Sequence, residues 1–67
     1  MPMTLKAARV NCNIQQKDAA QAIGVTVDTL RNWEAGRTFP DVPRIKKIEE
    51  LYGVPYSELI FCVETSV

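Results

Sequence analysis

Asp28, Arg31 and Asn32 fall within one short stretch, GVTVDTLRNWEAG, which runs from Gly24 to Gly36. A carboxylate, a guanidinium and a carboxamide carry fixed patterns of donors and acceptors. Turned outward together, they suit recognition of another polar surface rather than covalent chemistry. The sequence has no histidine. That removes zinc sites built on histidine and nucleophiles of the Ser–His or Cys–His kind. Glu49 and Glu50 are adjacent carboxylates, but neighbours on a helix point in different directions. No catalytic residue, metal ligand or cofactor is expected.

The elements that must position these groups are read from apolar spacing, which is helical throughout; no segment alternates as a strand would. Thr4 can cap a first helix bearing Leu5, Ala8 and Cys12, which Asn13 interrupts. A second helix runs from about Gln16 to Ile23 with Ala19, Ala20 and Ile23 inward, and Gly24 ends it. Thr26 is a good cap for a third helix, in which Leu30 and Trp33 share one face. Asp28 and Asn32 lie roughly opposite, with Arg31 to one side. Gly36 stops that helix. Asp41 can cap a fourth, with Pro43 tolerated in its first turn and Gly53 closing it. Pro55 then opens a fifth, through Tyr56, Leu59, Ile60 and Phe61. The expected fold is all-α, a compact bundle of five short helices forming one domain over residues 1–67.

A chain of 67 residues is one small domain. A domain of that size buries only about 60% of its unfolded surface and is marginally stable. Cys12 and Cys62 are read as reduced, buried small side chains, although one disulfide is chemically possible. No signal peptide or membrane span is visible, which points to a cytoplasmic home. The formal charge is zero, whereas most nucleic-acid-binding domains are basic. The charges are segregated, however. Residues 1–37 hold Lys6, Arg9, Lys17, Arg31 and Arg37 against Asp18, Asp28 and Glu34, and acidic side chains predominate in the remainder. A dipolar molecule can still present a basic face.

Two helices joined by Gly24-Val25-Thr26, the second with a polar outer face, have the sequence form of a helix-turn-helix. A single helix fits the DNA major groove, where base edges offer distinct donor and acceptor patterns. Such a helix must be held rigidly on one side, and Leu30 and Trp33 would do the holding. The chain resembles the Cro/repressor-type (XRE family) helix-turn-helix proteins, which are lambda-repressor-like. Arg9, IQQKDAAQAIGVTVDTLRNWEAGRTFP and IKKIEELYGV carry the resemblance, as does the ending LYGVPYSEL.

The resemblance implies roles. Gln16 would sit beside a phosphate at a helix N-terminus, where backbone N–H groups and the helix dipole favour anions. Thr26 would cap and also touch backbone phosphate. Val27, Asp28 and Asn32 occupy positions that face base edges, with Thr29 and Arg31 at the margins. Arg37 would meet the sugar-phosphate backbone, and Arg9 would pair with Glu34. Three residues depart from the pattern. Gln15 and Pro55 replace capping Ser or Thr, with Asn13 offered as a substitute cap for the second helix. Asp28 puts a carboxylate on the groove face, where phosphates repel it and a cytosine amino group would suit it.

The implied function is a sequence-specific DNA-binding transcriptional regulator, a phage, prophage or bacterial repressor, on an inverted-repeat operator in double-stranded DNA. The apolar run LIFCV suggests a homodimer through the fifth helix. The rival is a protein-interaction module or antitoxin on the same fold, since fold does not prove function.

Overall fold

The computed structural model describes residues 2–60. Four α-helices follow one another: α1 (Leu5–Asn11), α2 (Gln16–Ile23), α3 (Val27–Ala35) and α4 (Val42–Tyr52). Local chemistry sets their ends. The hydroxyl of Thr4 accepts from the Ala7 N–H, that of Thr26 from Thr29, and the carboxylate of Asp41 from Arg44. Each bond satisfies a backbone donor that the first turn leaves unpaired. Asn13, at φ 57°, takes the left-handed conformation that ends α1, which asparagine tolerates better than most residues. It does not cap α2. Gln15 occupies that position and makes no side-chain cap bond.

Gly24, at φ 91°, makes the turn between α2 and α3. It and Val25 both donate to the Ala20 carbonyl, at 2.9 Å each. An added Cβ there would meet only the Lys47 ammonium at 3.8 Å, so the conformation and not crowding demands glycine.

The expected fifth helix is absent from the described residues. Tyr56–Glu58 forms a single 3-10 turn, and the chain then extends. Leu59–Ile60 (β2) pairs in parallel with Met3–Thr4 (β1), in the register Met3 with Leu59 and Thr4 with Ile60. Among the described residues the fold is therefore helical with four α-helices instead of five, and a two-residue ladder ties Met3–Thr4 to Leu59–Ile60. Pro55 supplies no cap; the Glu49 carboxylate accepts the Tyr56 N–H at 2.7 Å in its place. Phe61 and Cys62, and with them the dimer expected through a fifth helix, lie outside the described residues.

The core gathers Leu5 and Ala8 of α1, Ala19, Ala20 and Ile23 of α2, Leu30 and Trp33 of α3, Ile48 and Tyr52 of α4, and Leu59. The alanines of α2 let neighbouring helices approach closely, and α2 makes its most extensive contacts with α3 and α4. Cys12 is half-buried, and its thiol donates to the Tyr52 carbonyl at 3.3 Å. No helix of the described residues is long and apolar enough to cross a membrane.

Candidate functional site

The candidate site is the outer side of α3 together with the N-terminus of α2. Leu30 is fully buried and Trp33 is 5% exposed, so α3 is fixed along one side. Asp28 and Arg31 are exposed on the other side, and Asn32 is half-buried beside them. The Arg31 guanidinium donates to Asp28 at 3.4 Å. Both side chains stand largely in water, so the pair contributes little to stability. It does balance the charge of the outer face. Thr26 and Thr29 share a hydroxyl–hydroxyl bond of 2.9 Å at the start of α3.

Val27 stands at the edge of the outer side. It is half-buried and packs against the core, one helical turn from Leu30, so only part of its side chain faces outward. Gly36 closes α3 at φ 79°, and the next N–H, that of Arg37, donates to the Asn32 carbonyl at 3.0 Å. That bond completes the helix end and sets Arg37 in the loop, where its side chain is exposed.

A buried ionic network supports the site from below. Arg9 is 8% exposed. Its Nε donates to Glu34 at 2.7 Å, its Nη2 to the same carboxylate at 3.4 Å, and its Nη1 to the Ile14 carbonyl at 2.8 Å. The expected Arg9–Glu34 pair is thus present, and it is buried. Gln16 joins it, donating from Nε2 to Glu34 at 3.0 Å. A carboxylate only accepts, so this bond fixes which end of the Gln16 amide faces inward. The amide's second N–H and its carbonyl oxygen remain for an outside partner. The link between Gln16 and Glu34 has no sequence signature, since it joins two helices through side chains alone.

Tyr52 adjoins this network. Burial first, then the neighbouring Glu34 charge, push its phenol up to about 12, and Arg9 partly opposes the shift. The hydroxyl is buried and has no hydrogen-bond partner among the described residues. Among the described residues, no group of three or more His, Cys, Asp or Glu is placed to hold a metal ion.

Residues 5–59 match the family described as Helix-turn-helix. The chain belongs to that family. Within the matched residues, α2 and α3 follow one another across the short turn from Gly24 to Thr26. This helix-turn-helix chain is also similar to a protein of Vibrio cholerae, the cryptic phage CTXphi transcriptional repressor RstR, with 32% identity over 63 residues. The match covers 94% of the chain but 57% of that repressor's length. No solved structure gives a significant match.

Proposed function

We propose that this chain is a sequence-specific DNA-binding transcriptional regulator of phage or prophage type. It acts in the cytoplasm and places α3 in the major groove of an inverted-repeat operator. The observation that carries the reading is the division of α3 into a buried side, Leu30 and Trp33, and an outer side bearing Asp28, Arg31 and Asn32. The Vibrio phage repressor matched over nearly the whole chain supports it. No catalytic step is part of it.

Phosphate contacts position such a protein, and base contacts give it discrimination. Gln16, with one N–H held by Glu34, offers its other N–H to a phosphate at the start of α2. Thr26 and Arg37 meet the backbone on either side of α3. Asn32 reads a base edge, with adenine its best bidentate match, while Asp28 accepts from a cytosine amino group. Val27 touches a thymine methyl with what it leaves exposed, and Thr29 and Arg31 lie at the edge of the contact. A homodimer sets two copies of α3 about 34 Å apart, one helical turn of DNA.

The deciding experiment is selection of bound duplexes from a random pool, followed by titration of the selected sequence at several salt concentrations. The expected result is an enriched inverted repeat whose binding constant falls steeply with salt. Equal, weak binding to every duplex at low salt would sink the reading. Asn32→Ala is expected to cost about 1–3 kcal/mol on the selected sequence and to relax preference at one base pair. Its effect on unrelated DNA should be small.

Asp28→Asn gives the opposite pattern. It removes the one carboxylate on the outer face and releases Arg31 from its 3.4 Å partner. Binding to unrelated duplexes is expected to tighten by about 1 kcal/mol, the scale of one charge–charge contact near water. Stability should change by less than about 0.5 kcal/mol. Fluorescence anisotropy and urea titration measure the two effects; unchanged binding would remove Asp28 from the interface.

A protein-interaction module is the second reading, favoured by an exposed apolar groove beside α4. A stoichiometric protein partner, combined with no salt-sensitive DNA binding, would select it.

A further inference from the structure

Arg31 and Asp28 are one helical turn apart on the outer side of α3, with side chains 60% and 85% exposed. An ion pair at that spacing calls for no function by itself. The geometry of this pair is more particular. The guanidinium reaches Asp28 through Nη1 alone, and one carboxylate oxygen, Oδ1, accepts. The Nε–Nη2 edge of the guanidinium stays open and keeps two parallel N–H donors. We propose that this edge reads a guanine, donating to O6 and N7 in the major groove, and that Asp28 is the positioning residue that holds it there. The inference rests on the DNA-binding reading and moves Arg31 from the margin of the contact onto a base.

The other ligand open to an arginine on such a face is a phosphate, and electrostatics separates the two. A phosphate repels Asp28. Its oxygen lies 3.4 Å from the guanidinium, so the pair meets a phosphate with its attraction largely cancelled. A guanine edge is neutral and offers two acceptors side by side, which the open fork matches. Toward that edge the carboxylate brings no such repulsion. It also restrains a long side chain that would otherwise sample many rotamers before binding. Glu34, the other carboxylate of α3, does not compete for Arg31, because Arg9 and Gln16 already hold it. The second oxygen of Asp28 is left for the cytosine amino group of a neighbouring base pair. Pairing within the face thus weakens general attraction to DNA and keeps discrimination between bases.

The test is selection from a random duplex pool with the full 67-residue chain, Arg31→Ala and Asp28→Ala. Both side chains are exposed, so both variants should fold, and circular dichroism checks that they do. The natural chain should enrich a repeat with a fixed guanine in each half-site. Changing that guanine should weaken binding at least about fivefold, the low end for a bidentate base contact. Arg31→Ala should accept any base there. Asp28→Ala should relax the same position while tightening binding to unrelated duplexes. Removing both side chains should relax it no further than Arg31→Ala alone, since the two act as a unit. A duplex with 7-deazaguanine, which lacks the N7 acceptor, should bind the natural chain more weakly and make no difference to Arg31→Ala. An enriched repeat whose every guanine preference survives Arg31→Ala overturns the proposal and leaves the DNA-binding reading standing. So does an Arg31→Ala that weakens all duplexes alike and lowers the salt slope by about one, as loss of a phosphate contact does. Guanine preference lost in Arg31→Ala but kept in Asp28→Ala overturns the positioning role of Asp28. A natural chain that enriches nothing sinks the DNA-binding reading, and this inference with it.

Discussion

Glu34→Ala is expected to unfold a large share of the protein at room temperature. The substitution strands the guanidinium of Arg9, which is 8% exposed and makes two of its three bonds to Glu34. Breaking a buried ion pair from one side costs about 3–5 kcal/mol, because the remaining charge has lost both water and partner. A chain of 67 residues has only about 3–10 kcal/mol of stability at the usual 0.05–0.15 kcal/mol per residue. Gln16 loses its acceptor as well, though it is half-exposed and can turn to water. Replacing both ionic partners, Arg9→Met with Glu34→Leu, should recover most of the loss, since apolar substitutes for a buried pair are often neutral or stabilising. Urea unfolding followed by circular dichroism gives all the values. A cost below about 1 kcal/mol for Glu34→Ala would mean the pair behaves as an exposed one. Gln16 would then have no buried anchor.

What the sequence discloses and what it conceals divide along the range of the interactions involved. Thr4, Thr26 and Asp41 announce three helix starts because a cap bonds an N–H three residues away. Gly24, Gly36 and Gly53 announce three ends because each takes a left-handed φ. The inward face of α3 is equally plain, since Leu30 and Trp33 are one helical turn apart.

The fifth helix fails for the complementary reason. Tyr56, Leu59 and Ile60 keep a helical spacing, but Leu59–Ile60 pairs with Met3–Thr4 at the other end of the chain. Two-residue strands are too short to alternate, so local pattern cannot register them. The same limit hides the bond from Gln16 to Glu34, the partial burial of Val27 and the capture of the Tyr56 N–H by Glu49. Each joins residues from different elements. The character of the outer face, its Leu30–Trp33 anchor and the Arg9–Glu34 pair were legible; the bond from Gln16 to Glu34 and the ladder between the two ends were not.

Trp33→Ala carries the second large effect, and it joins folding to recognition. Trp33 is 5% exposed and is the chain's one tryptophan, so circular dichroism must replace fluorescence as the probe. Truncating a buried aromatic to alanine costs about 3–5 kcal/mol, through lost burial and the void left behind. The variant should therefore be partly unfolded when alone. DNA that binds only the folded state should oppose this, restoring about 2.7 kcal/mol at a hundredfold excess over its dissociation constant. A selected duplex should raise the unfolding midpoint far more than an unrelated one at equal concentration. Asn32→Ala serves as the converse, with stability kept and that difference between duplexes reduced. If Trp33→Ala costs less than about 1 kcal/mol, the indole does not hold α3. If the variant unfolds and the selected duplex restores no more than the unrelated one, the outer face of α3 is not what distinguishes one DNA sequence from another.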